Sequence, residues 1–154
     1  MAFMGEWPVW AIYAAIGALF GLAGGLLSFP LAKRNKKLSA FVVIAAIAIS
    51  RPVTEQLVLP KVANDYANKD LPKKLDNVTT MTKVTISGST IVYNYDIDPS
   101  VALVSGPEMM KLIGPDACQY WKPKFASGDA TSAEYVYKFA SGQSRFTLTK
   151  QSCG

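Results

Sequence analysis

The chain has 154 residues with two cysteines and no histidine, a length that holds one domain of about a hundred residues and a further segment. Without histidine, nucleophile-imidazole triads, zinc sites built on imidazole and charge switching near neutral pH are excluded. Residues 1–51 carry five basic side chains and one acidic, while residues 52–154 carry eleven and ten, so the basic excess is one local cluster and no nucleic-acid partner is expected.

Pro8 to Leu31 hold no charged residue over 24 positions, enough to cross about 30 Å of hydrocarbon as a helix. This predicts a transmembrane helix over about 8–31. A cleaved signal sequence needs a basic start, and "MAFMGEW" has none. Trp7, Trp10 and Tyr13 fall at the start of the span, where amphipathic rings favour the headgroup level. Within the span, Gly17, Gly21 and Gly25 recur every fourth residue and drift by only about 40° per step around the helix. Ala14 and Ala18 extend that smooth side. In lipid, close backbone approach replaces the hydrophobic gain of association, so this stripe predicts a helix-packing face. Its partner is either the second helix, a copy of the chain or another membrane protein.

A basic loop over 32–37 follows, with Lys33, Arg34, Lys36 and Lys37, and then the apolar run Leu38 to Ser50. Thirteen residues make only about 20 Å of helix. Three readings arise. The helix continues to about residue 59, with Arg51 snorkelling to the headgroups and Glu55 pairing with it one turn on; the segment is re-entrant or interfacial; or it is an internal signal sequence with Ala46 and Ala48 as the cleavage pattern. The first is favoured, because short spans are accommodated at modest cost. Lys and Arg in short loops stay cytoplasmic. The hairpin of residues 1–59 is therefore expected to place both termini outside, in the periplasm of a bacterial inner membrane. There Cys118 and Cys153 read as one disulfide, against the alternative of two reduced structural cysteines.

Residues 60–75 read as a helical connector interrupted at Pro60 and ended before Pro72. Over 76–154 two hairpins are expected, with turns around Gly88 and Gly142. Ile91, Tyr93, Tyr95 and Ile97 alternate onto one face of the first, and Tyr135, Tyr137, Phe139, Phe146 and Leu148 onto one face of the second. Between them a helix starting near Pro107 and Glu108 is expected to use Met109, Leu112 and Ile113 and to break at Gly114–Pro115. The predicted class is α+β: a two-helix transmembrane hairpin and a small periplasmic domain whose four-stranded antiparallel sheet is covered by a broken helix.

Leu71, Pro72, Lys73, Asp76, Thr79, Tyr93, Tyr95, Cys118 and Cys153 together resemble the pattern of a bacterial family of small, uncharacterised exported domains. The resemblance covers about 85 residues and excludes the two N-terminal helices. It implies export and a disulfide, and it carries no activity or catalytic motif.

Few groups suggest chemistry. Asp96 and Asp98 lie two apart on a strand but are read as the start of a turn with Pro99, and no phosphate-cradling loop is present. No enzyme, cofactor, metal or small-molecule substrate is expected. The leading expectation is an accessory or assembly subunit of a membrane complex that works by protein binding, with the bilayer and, through the glycine stripe, another membrane protein or a copy of the chain as partners. The alternative is a protective immunity or exclusion factor acting at the periplasmic face.

Overall fold

A computed structural model describes residues 2–33 and 36–154, and the chain forms two compact units, Met1–Tyr66 and Ala67–Gly154. The first unit is helical. A short 3-10 turn, Ala2–Glu6, leads into α1 (Val9–Ala32), followed by α2 (Lys36–Val53), a π-helical turn (Thr54–Val58) and α3 (Leu59–Ala67). Both α1 and the run from Lys36 to Ala67 are long and apolar enough to cross a membrane.

The interruption expected at Pro60 does not occur. The run from Lys36 to Ala67 is one helix of 32 residues, about 48 Å long at 1.5 Å per residue. A wide π turn absorbs the proline: the Leu59 N–H reaches back to the Thr54 carbonyl, five residues away, just before Pro60 would need an i−4 partner. Hydroxyls supplement the backbone around Pro52, with Ser50 Oγ donating to the Ile47 carbonyl at 2.7 Å and Thr54 Oγ1 to the Ser50 carbonyl at 2.8 Å. These back-bonds satisfy the two hydroxyls inside the helix; their acceptors are not the Ala48 carbonyl that Pro52 leaves without its donor. Met4, Ile12 and Val62 form the small core of this unit, with Ile16, Val58 and Leu59 against it.

The second unit holds a five-stranded mixed sheet in the order β1-β2-β3-β4-β5, formed by Lys73–Lys74, Thr79–Ser87, Thr90–Ile97, Ser132–Phe139 and Gly142–Thr149. The four-stranded antiparallel expectation is corrected at two points: β3 and β4 are parallel, and β1 adds a fifth strand. Both hairpins have two-residue turns, and Gly88 takes the left-handed conformation (φ 57°) in the first.

The parallel pairing has the same cause as a second correction. α4 (Gly106–Ser127) is one continuous helix of 22 residues with Pro115 and Pro123 inside it, not a broken one. A helix of that length spans about 33 Å, more than the roughly 27 Å of an eight-residue strand. It returns the chain to the start of β3, so β4 runs alongside it in the same direction. Both prolines lie on the exposed side of α4, as do Lys111 and Gln119, whose carbonyls lose their donors. Exposed residues on that side of the helix make the breaks cheap.

Met109, Gly114, Cys118, Trp121 and Phe125 form the buried stripe of α4, at the spacing of a one-sided helix. Leu112, expected on that stripe, is instead 70% exposed. Glu108 Oε2 accepts from the Ser105 N–H at 3.1 Å and Ser105 Oγ at 2.6 Å, closing the N-terminus, and Gly128 ends the helix at φ 81°. The stripe packs on the aromatic face of the sheet, where Tyr95, Tyr135, Tyr137, Phe139, Phe146 and Leu148 are buried. Of these, Phe139, Phe146 and Leu148 contribute roughly 1.5–3 kcal/mol each by leaving water. The disulfide is present: Cys118 on α4 joins Cys153 just past β5, with Cα atoms 5.3 Å apart.

Candidate functional site

Two features of the sequence can recognise another molecule: the small-residue side of α1, and the aromatic face of the sheet where α4 leaves it uncovered. On α1 the internal seam and the glycine stripe are separate. Ile12, Gly24 and Ser28 are buried, with Ile16 and Phe20 half-buried between them, a row at four-residue spacing. A Cβ on Gly24 would lie 2.8 Å from the Ala46 Cβ, so the missing side chain at Gly24 lets α1 and α2 approach closely there. Ser28 Oγ donates to the Gly25 carbonyl at 2.8 Å and hides its polarity on the same seam.

Gly17, Gly21 and Gly25 sit one residue further round the helix. Among the described residues, a Cβ at any of them would meet nothing within 4 Å, and Ala14 and Ala18 are exposed. Within the chain, then, α2 is not the partner of the stripe. The sequence missed Gly24 because Gly24 and Gly25 adjoin and the even four-residue spacing selected the latter.

At the start of α1, Trp7 is 43% exposed and Trp10 73%. Tyr13 donates to Glu55 Oε1 at 3.1 Å, and Arg51 Nε donates to the same oxygen at 2.9 Å. One carboxylate thus ties α1 to the π turn that follows α2. Of the basic loop, Lys33 lies 5.9 Å from the Phe29 ring, Lys36 is exposed, Lys37 is engaged in a further interaction, and Arg34 is outside the described residues.

In the second unit, register puts Met81, Val84 and Ile86 of β2 opposite Tyr95, Tyr93 and Ile91 of β3. A bulge at Thr82 shifts the alternation between Met81 and Val84, so all three side chains share the aromatic face. Asn68 substitutes for a missing neighbour strand on β2: its Oδ1 accepts from the Val84 N–H at 2.8 Å and its Nδ2 donates to the Val84 carbonyl at 2.6 Å. No sequence pattern pointed to this residue.

Beside α4 these elements bound an open cleft of about 420 Å³. Its floor is aliphatic (Met81, Val84, Ile86, Ile91), and Tyr93, Trp121 and Tyr120 form its aromatic side. Tyr93 stacks on Tyr135 at 5.4 Å between centroids and meets Trp121 edge-on at 6.2 Å. Trp121 Nε1 donates to Tyr135 Oη at 2.8 Å, which fixes the ring that backs the cleft. Burial, with the Tyr120 phenol nearby, pushes the Tyr93 hydroxyl up to about 12, so it stays a neutral donor. At the rim, Lys124 Nζ lies 4.9 Å over the Tyr120 ring, and Asp129 Oδ2 accepts from Ser127 Oγ at 2.7 Å.

The remaining carboxylates are structural. Asp98 Oδ1 accepts from the Ser100 N–H and Oγ at 2.9 and 2.6 Å, and the Ser100 hydroxyl, more than any cation, holds Asp98 below the usual carboxylate range. Asp76 Oδ1 accepts from the Val78 and Thr79 N–H groups at 2.8 and 2.7 Å, and the Val78 bond lowers it most. Among the described residues no cluster of three Cys, Asp or Glu side chains could hold a metal ion.

No protein-family model and no curated protein sequence matches the chain. The chain is similar to a crystal structure of a candidate secreted protein from Pseudomonas aeruginosa, at 14% identity and a TM-score of 0.45, over 65% of this chain and 94% of that one.

Proposed function

We infer that the protein is a non-enzymatic component of a bacterial inner membrane, in which the helical hairpin anchors the disulfide-closed unit in the periplasm and α1 binds another membrane protein. Its role is that of an accessory or assembly subunit. One observation supports this reading above the others: Gly17, Gly21 and Gly25 face open space while Gly24 takes the contact with α2. Three glycines in one helix cost roughly 0.5–1 kcal/mol each relative to alanine in water, and a second helix approaching that side is what they would serve. The surrounding side chains suit lipid, with Leu19, Leu22, Leu26 and Phe29 between 62% and 76% exposed.

The test is purification in mild detergent with identification of stoichiometric partners. Wild type should bring down a membrane protein, and Gly21→Leu should lose it while retaining the α1–α2 contact at Gly24. A monomeric wild type, or unchanged recovery with Gly21→Leu, would overturn the reading. Thiol labelling of intact cells checks the topology, since Cys118 and Cys153 should label only after reduction.

A further inference from the structure

The cleft beside α4 is built for more than packing. Its floor is aliphatic and its volume of about 420 Å³ lies within the range of small-molecule sites, roughly 300–1,000 Å³. Its polar groups are few and mostly of one kind. Among the described residues the Tyr93 and Tyr120 hydroxyls have no hydrogen-bond partner within the protein; both are donors on the same lining as Lys124, whose ammonium lies over the Tyr120 ring. Asp129 is the single acid on the lining, and it already accepts from Ser127. A ligand that satisfies this arrangement has an apolar body and an acceptor or anionic head held by Lys124 and the tyrosine hydroxyls, with Asp129, already engaged by Ser127, opposing a negative head.

We propose that this cleft binds a single-chain fatty carboxylate, with the chain on Met81, Val84, Ile86 and Ile91 and the carboxylate accepting from Lys124 and the two tyrosine hydroxyls. Size limits the choice. At about 30 Å³ per water-sized group, the space matches one chain of roughly a dozen heavy atoms better than the paired chains of a phospholipid. The aliphatic floor argues against a sugar, which needs hydrogen-bonding groups along its whole edge. The site lies wholly in the unit Ala67–Gly154 and does not depend on the partner assigned to α1.

The experiment uses the full chain in lipid nanodiscs with Trp7→Phe and Trp10→Phe, which leaves Trp121 as the sole indole reporter on the lining. Titration with 12-bromododecanoate should quench Trp121 saturably. The corresponding brominated alcohol should need at least ten times the concentration. Lys124→Gln should weaken binding at least fivefold, and Asp129→Asn should tighten it two- to threefold, with near-UV circular dichroism confirming that each variant is folded. Quenching that does not saturate, that is equal for acid and alcohol, or that neither charge substitution changes would overturn the assignment. If Lys124→Gln fails to fold, the acid–alcohol ratio and Asp129→Asn decide the matter.

Discussion

Removing the disulfide by Cys118→Ala with Cys153→Ala tests the architecture of the second unit most directly. The two residues are separated by 35 positions, and the chain-entropy relation then gives about 3.8 kcal/mol at 25 °C for confining the unfolded chain. The substitutions leave little other damage, because both side chains are small and alanine keeps the helix at position 118. The terminal turn is also tied independently: Ser152 Oγ accepts from the Thr149 N–H at 2.8 Å, and the Cys153 N–H donates to the Thr149 carbonyl at 3.1 Å. A unit of this size has a total stability of roughly 4–13 kcal/mol, so the loss is a large fraction of the whole. It corresponds to a fall in melting temperature of about 15–30 °C, or about 2–3 M in the urea midpoint at a typical slope. Trp121 fluorescence in the Trp7→Phe, Trp10→Phe background follows unfolding of this unit alone. A loss below about 1 kcal/mol, with wild type fully oxidised, would refute the reasoning, because the unfolded unit would then already be as confined as the crosslinked one.

Alkali should unfold the same unit. Burial raises the hydroxyls of Tyr93 and Tyr137 to about 12, and that of Tyr95 further, above the ordinary phenol value of about 10. Between those values the folded unit keeps protons that the unfolded chain has lost, so stability is intact below about pH 10 and falls as pH rises toward 12; tyrosinate absorbance at these positions should appear together with unfolding, and ionisation near pH 10 without unfolding contradicts the burial. Trp121→Phe should cost about 2–3 kcal/mol through the lost indole bond and partner packing, with part of that loss shared with Tyr135→Phe in a double-mutant cycle. Ser144 Oγ is buried without a partner among the described residues, so Ser144→Ala should be neutral or stabilise by about 0.5–1 kcal/mol; destabilisation beyond 1 kcal/mol would reveal a bond. Gly24→Leu should separate α1 from α2, because its Cβ would lie 2.8 Å from that of Ala46, and cysteine crosslinking across the hairpin should fall with Gly24→Leu but not with Gly21→Leu.

The amino-acid sequence by itself determined the features that depend on local chemistry. An uncharged stretch of 24 residues suffices for a membrane-length helix because length and composition alone set that property. The alternation of Tyr93 with Tyr95, and of Tyr135 with Tyr137, marks one sheet face because the strand period of two is local. Tertiary structure decided what depends on distance in the fold. Whether prolines at 115 and 123 break α4 depends on whether the residues whose carbonyls they free lie against protein or on the outside, and here Lys111 and Gln119 are exposed. That one fact sets the helix length and, through it, the parallel pairing of β3 with β4. β1 pairs only because β2 offers an edge to Lys73 and Lys74, residues without strand character of their own. Gly24 could be told from Gly25 only once α2 was beside it, since the two differ by about 100° around the helix and by nothing in chemistry. The cleft was not legible for the same reason. Its lining spans Ala67 to Ala130, and only folding brings the floor from one hairpin and the rim from α4 to the same place.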